Sequence, residues 1–106
     1  TEGGVIENAR ARGEQLARRL AALEDISPLV AGQRGIGLLR GLELTEDVAP
    51  EVVVRALDRG LILNPVRPNV VRFMPPLTVT AEEIDRAAEI VGGIIRDLAA
   101  ERATAR

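Results

Sequence analysis

The chain has 106 residues, 46% hydrophobic and 28% charged, with a formal net charge of −2, which fits a single globular domain with one core. The acidic balance argues against a sequence-independent nucleic-acid binder that works by displacing counterions, and no stretch is long enough for a transmembrane helix. All 14 basic residues are arginine, and lysine, histidine, cysteine, tyrosine and tryptophan are absent, so Schiff-base, His-assisted and zinc-thiolate chemistry lie beyond this chain's own side chains.

The predicted elements, in chain order, begin with a helix over residues 5–23. Ile6, Ala9, Leu16, Leu20 and Leu23 recur near helical spacing, and Glu14 and Arg18 form an i,i+4 pair with the acid first. Gly13 weakens the middle of this helix, and Ser27-Pro28 ends it. Residues 29–34 read as a short strand, Gly35-Ile36-Gly37 as a turn or bulge, and residues 38–44 as a second strand. In the second strand Leu38, Arg40, Leu42 and Leu44 share one face, while Leu39, Gly41 and Glu43 share the other.

A second helix follows. Pro50 suits its first turn, Val52, Val53, Ala56 and Leu57 form its apolar stripe, and Gly60 stands where a left-handed residue closes a helix. Leu61-Ile62-Leu63 reads as a short buried strand, residues 64–69 as turn-rich, and residues 70–74 as another strand closed by Pro75-Pro76. Thr80 and Glu83 have the spacing of a capping box. Behind them Ile84, Ala87, Ala88, Val91, Ile94, Ile95 and Leu98 make a continuous apolar face, with fraying expected after about residue 100. The order helix, strand, strand, helix, strand, strand, helix predicts an α+β fold, a small, mostly antiparallel sheet with helices packed on one face.

Chemistry has few places to reside. Arg72 interrupts the apolar run Val70-Val71-Arg72-Phe73-Met74. On a strand it shares a face with Val70 and Met74, away from Val71 and Phe73. One reading is an edge-strand arginine that discourages aggregation. The other is a carboxylate clamp, because the planar guanidinium fork matches two carboxylate oxygens, and the double proline behind the strand would aim it. The glycine-rich run of residues 35–41 leads into a strand, whereas a phosphate loop leads into a helix N-terminus; a tight connection between strands is the better reading. Glu82, Glu83 and Asp85 complement a helix dipole and call for no metal. Glu51, Arg55, Asp58 and Arg59 read as a solvated helix face.

Three segments in order resemble one family. Arg34-Gly35-Ile36-Gly37-Leu38-Leu39-Arg40-Gly41-Leu42-Glu43-Leu44 is similar to an "RGxGLLxGxEL" run. Gly60-Leu61-Ile62-Leu63-Asn64 is similar to "GLLxN". Val71-Arg72-Phe73-Met74-Pro75-Pro76-Leu77, continued by Glu82-Glu83-Ile84-Asp85, is similar to "xRxxPPLxxxxEEID". The opening residues 7–14 also look like the helix that enters the family's small domain. The family is that of class III, fold-type I aminotransferases, in particular acetylornithine aminotransferases.

The resemblance implies that residues 1–106 are a C-terminal small domain, and that a large domain with the pyridoxal phosphate (PLP) and the Schiff-base lysine belongs to a longer parent. It implies a homodimeric parent that moves an amino group between N-acetylornithine and 2-oxoglutarate in arginine biosynthesis. It carries one role over to this chain: Arg72 as the substrate α-carboxylate-binding residue. The chain itself is expected to supply no catalytic residue, to hold no metal and no cofactor, and to be inactive alone. No nucleic acid or membrane partner is expected, and the cytoplasm is the expected compartment. The alternative is a non-enzymatic, stand-alone interaction module sharing the fold. A hydrophobic patch near Leu38, Met74 and Pro76, where the large domain once met this one, is a further expectation.

Overall fold

A computed structural model describes residues 2–105, with side chains described from residue 4 to residue 103. The elements are α1 (Glu2–Ala22), a 3-10 turn (Leu23–Asp25), β1 (Val30–Ile36), β2 (Leu39–Leu44), α2 (Ala49–Asp58), β3 (Asn64–Arg67), β4 (Val70–Phe73) and α3 (Ala81–Ala105). The predicted order of helices and strands is the order found.

The four strands form one antiparallel sheet in the order β1-β2-β4-β3. Its inner face follows the period-2 alternation of the sequence. Leu42 lies opposite Val71, and both are fully buried. Phe73, the one aromatic residue, is buried on the same face. Leu16 and Leu20 of α1, Val52 and Ala56 of α2, and Ile84, Val91, Ile94, Ile95 and Leu98 of α3 complete the core. The helices therefore cover one face of the sheet, and the other face carries the strands' polar positions.

Local chemistry sets the helix ends. At α3 the capping box is formed reciprocally: the Glu83 amide donates to Thr80 Oγ1 at 3.1 Å, and the Thr80 amide donates to Glu83 Oε1 at 3.0 Å. Pro50 lies in the first turn of α2. Beyond α2, Gly60 adopts φ +85°. The Leu61 amide then reaches the Ala56 carbonyl at 2.8 Å and the Gly60 amide reaches Leu57 at 3.0 Å, the hydrogen-bond pattern of a Schellman ending.

Several expectations need correction. Gly35 and Ile36, read as part of a turn, belong to β1, and Ile6 and Leu57, read as parts of apolar stripes, are both 61% exposed. Residues 61–63 are not a strand; the strand is β3, one step later, across the residues read as a turn. β3 is an edge strand with all four residues exposed, and an edge accepts Pro65 because no ladder bond is asked of its missing N–H. The last helix does not fray after residue 100 but continues to Ala105; Arg102 is tied to Glu46 at 2.6 Å, which holds its final turns to the body. Leu38 is buried, not part of an exposed patch, because the chain turns at residues 37–38 and drives that side chain into the core.

Candidate functional site

The outer face of the sheet is built by register. Arg72 on β4 lies opposite Gly41 on β2 and Asn64 on β3, and Gly41 in turn lies opposite Arg34 on β1. The four make one row across the strands: Arg34, Gly41, Arg72, Asn64. The next row runs Gly32, Glu43, Val70, Arg67. Because directly opposed residues share a face, all of these point away from the helices.

Arg72 is thus on the face opposite its neighbours Val71 and Phe73, as the alternation of the sequence requires. It is half-buried, its Nε is shielded from solvent with no hydrogen-bond partner, and it has no ion pair among the described residues. It does not lie on an edge strand: β4 is flanked by β2 and β3. The edge-guarding reading of Arg72 therefore loses its premise. Gly41 beside it contributes no side chain, so the space next to the guanidinium is not filled from β2.

Behind β4 the chain runs through Met74-Pro75-Pro76, and the Val79 amide closes a turn onto the Pro76 carbonyl at 3.0 Å. Asn8 of α1 fixes this segment by donating to the carbonyls of Leu77 at 3.0 Å and Val79 at 2.9 Å. The prolines and this side-chain clamp hold the end of the Arg72 strand from two sides.

Two other arginines of the sheet are engaged. Arg34 donates to Glu43 at 2.7 Å. Arg40 donates to the carbonyls of Gly37 and Gly35 at 2.8 and 3.0 Å, bracing the β1–β2 turn. Arg34 and Glu43 both belong to the strand pair and the family motif read from the sequence; their pairing depends on register, which no local signal reports.

The face of α2 read as solvated does more than face water. Arg55 bridges Glu51 and Glu101, and Arg59 reaches Asp97, so α2 is laced to α3. The hydrogen bond from Arg55 holds the Glu101 carboxyl below its usual range, against the opposing effect of desolvation. Asp85 of the acidic cluster accepts from Gln15 at 2.8 Å, and no group of carboxylates arranged to hold a metal exists among the described residues. No described helix is long and apolar enough to cross a membrane.

A separate apolar groove of about 530 Å³ opens beyond the end of β4, lined among others by Ile62, Phe73, Met74, Pro75 and Ile90. Arg72 is not one of its walls. Met74 and Pro76 are exposed at its margin, as is Leu77 close by, so the expected patch exists there without Leu38.

The family model described as Aminotransferase class-III matches residues 1–95. The chain belongs to this family. The class-III aminotransferase chain is 46% identical over 95 residues to the acetylornithine aminotransferase of Gloeobacter violaceus, covering 89% of this chain and 24% of that protein. It is 38% identical over 98 residues to that of Caldanaerobacter subterraneus, covering 92% and 25%. Among solved structures, its fold matches an ornithine delta-aminotransferase from Plasmodium falciparum with a TM-score of 0.85 at 27% identity, over 94% of this chain and 27% of that one. It matches an acetylornithine aminotransferase from Elizabethkingia anophelis with a TM-score of 0.84 at 23% identity, over 91% and 26%. The class-III chain thus spans about a quarter of the length of the curated relatives it matches.

Proposed function

We propose that residues 1–106 form the C-terminal small domain of a PLP-dependent aminotransferase. In this reading the complete protein is a cytoplasmic homodimer that moves an amino group between acetylornithine and 2-oxoglutarate in arginine biosynthesis, and Arg72 binds a substrate carboxylate. The observation that carries the role of Arg72 is its geometry. It is a half-buried guanidinium on the open face of the sheet, without an ion-pair partner among the described residues, opposite a glycine that adds no side chain of its own. The names of the curated relatives support the substrate.

The residues present do not fit the family's cofactor. The chain contains no lysine amine, and its glycine-rich run leads into β2 rather than into a helix N-terminus, so it offers neither a Schiff-base partner nor a phosphate cradle. The cofactor belongs to the larger domain.

What this chain contributes is position. A carboxylate accepts two parallel N–H bonds from one guanidinium, which fixes orientation as well as location. In 2-oxoglutarate the carbon that receives the amino group carries a carboxylate directly, so a fork on that carboxylate sets the place of the reacting carbon. Correct placement of a reacting atom is worth several orders of magnitude in rate.

The test is Arg72→Ala in the complete enzyme, with the two half-reactions followed separately. Charge-assisted bonds of this kind contribute roughly 1.5–3 kcal/mol each, so kcat/KM is expected to fall by about tenfold or more. Both substrates are affected, and 2-oxoglutarate most. Unchanged kinetics with donor and acceptor alike would remove Arg72 from this role.

A further inference from the structure

Among the strand residues the open face holds one carboxylate, Glu43, between two arginines; a second, from Glu24 of the 3-10 turn, lies against Gly32 on the edge strand β1. Arg34 and Arg72 flank Gly41 in one row, two strand spacings or about 10 Å apart. Glu43 stands two residues along β2 from Gly41 and on the same face. It is therefore diagonal to both arginines, at a separation of about 7–8 Å that long side chains span. The structure shows the choice that is made: Glu43 Oε2 takes Arg34 Nη2 at 2.7 Å, and Arg72 is left without an ion pair among the described residues.

From this we infer that Arg34 is a positioning residue for Arg72. By engaging Glu43, it keeps the one carboxylate in the row pattern that could reach Arg72 from occupying it. The inference rests on the reading of Arg72 as a carboxylate site. Without Arg34, Glu43 is a tethered carboxylate beside a guanidinium, present at the high effective concentration of any linked ligand. It would then compete with the substrate, and the apparent affinity would fall by the fraction of molecules in which Arg72 is already taken. Arg67, the other cation of the outer face, is in the row of Glu43 but two strands away on β3, farther than either diagonal partner.

The experiment uses the complete enzyme and steady-state kinetics with 2-oxoglutarate. Exposed ion pairs of this kind are weak, so Arg34→Gln is expected to raise KM by roughly twofold to sixfold with little change in kcat. Arg34→Lys keeps the charge that holds Glu43 and is expected to raise KM less. Adding Glu43→Gln to Arg34→Gln removes the competitor and is expected to return KM toward the parent value. Arg34 is 80% exposed in its side chain, so these substitutions leave the core untouched, and thermal melts check this. A KM for Arg34→Gln equal to the parent's overturns the inference, as does an elevated KM that Glu43→Gln fails to lower. Equal effects of Gln and Lys at position 34 overturn it too. Failure of the underlying reading is distinguishable: then Arg72→Ala itself leaves KM and kcat unmoved.

Discussion

Gly13 occupies a position where a helix favours almost any other residue. From sequence it is a weak point in α1. In the fold it is a contact: a Cβ there would sit 2.6 Å from the carbonyl carbon and oxygen of Gly37, so α1 packs directly on the backbone of the β1–β2 turn. Gly37 itself takes φ +56°, a conformation a side chain disfavours. Gly13→Ala gains up to about 1 kcal/mol of helix propensity but forces a backbone shift that costs roughly 1–3 kcal/mol. A net loss of stability is expected, read as a lower denaturation midpoint; a raised midpoint would show that the turn yields freely. Arg72 teaches the same lesson in the other direction. Its face was legible from the alternation of Val71 and Phe73, yet its neighbours Gly41 and Asn64 were not, because they come from strands whose register is a tertiary fact.

The elements differ in how much of themselves the sequence encodes. α3 is marked at its start by Thr80 and Glu83, and the box closes as the spacing requires. Thr80→Ala removes the acceptor for the Glu83 amide and is expected to cost about 1 kcal/mol, seen as a lower midpoint with an unchanged denaturant slope. An unaltered midpoint would mean that packing alone holds the end. α2 is likewise bracketed by Pro50 and Gly60. β3 is the poorly encoded element. Asn64-Pro65 reads locally as a turn, and the segment becomes a strand only because β4 presents Val70, Val71 and Arg72 as partners. The C-terminal turns of α3 are similar: local composition predicts fraying, but the Arg55–Glu101 and Arg102–Glu46 pairs tie them to α2 and to the loop before it.

As a whole the molecule is a sheet covered on one side. Its core is complete without aromatic packing beyond Phe73, and α1, α2 and α3 all contribute to it. Its open face carries Arg34, Arg67 and Arg72, and its groove beyond β4 exposes Met74, with Leu77 exposed close by. That division suits the proposed reading of a small domain whose site is finished by another part of a longer protein. A lysine-free chain has no side-chain amine at which PLP can form a Schiff base. Titration of the isolated chain with PLP is therefore expected to give no stoichiometric change in the visible absorption band. A one-to-one spectral change would overturn the assignment of the cofactor to the larger domain.

The sequence by itself determined the element order, the apolar face of α3, the caps of α2 and α3, and the side of the strand from which Arg72 projects. Each of these follows from periodicity or from interactions spanning a few residues. Only the tertiary structure decided that Arg72 sits on an interior strand opposite Gly41, that Gly13 meets Gly37, and that Glu43 pairs with Arg34. These depend on strand register and on the approach of elements distant in sequence, and no local pattern of side chains fixes either.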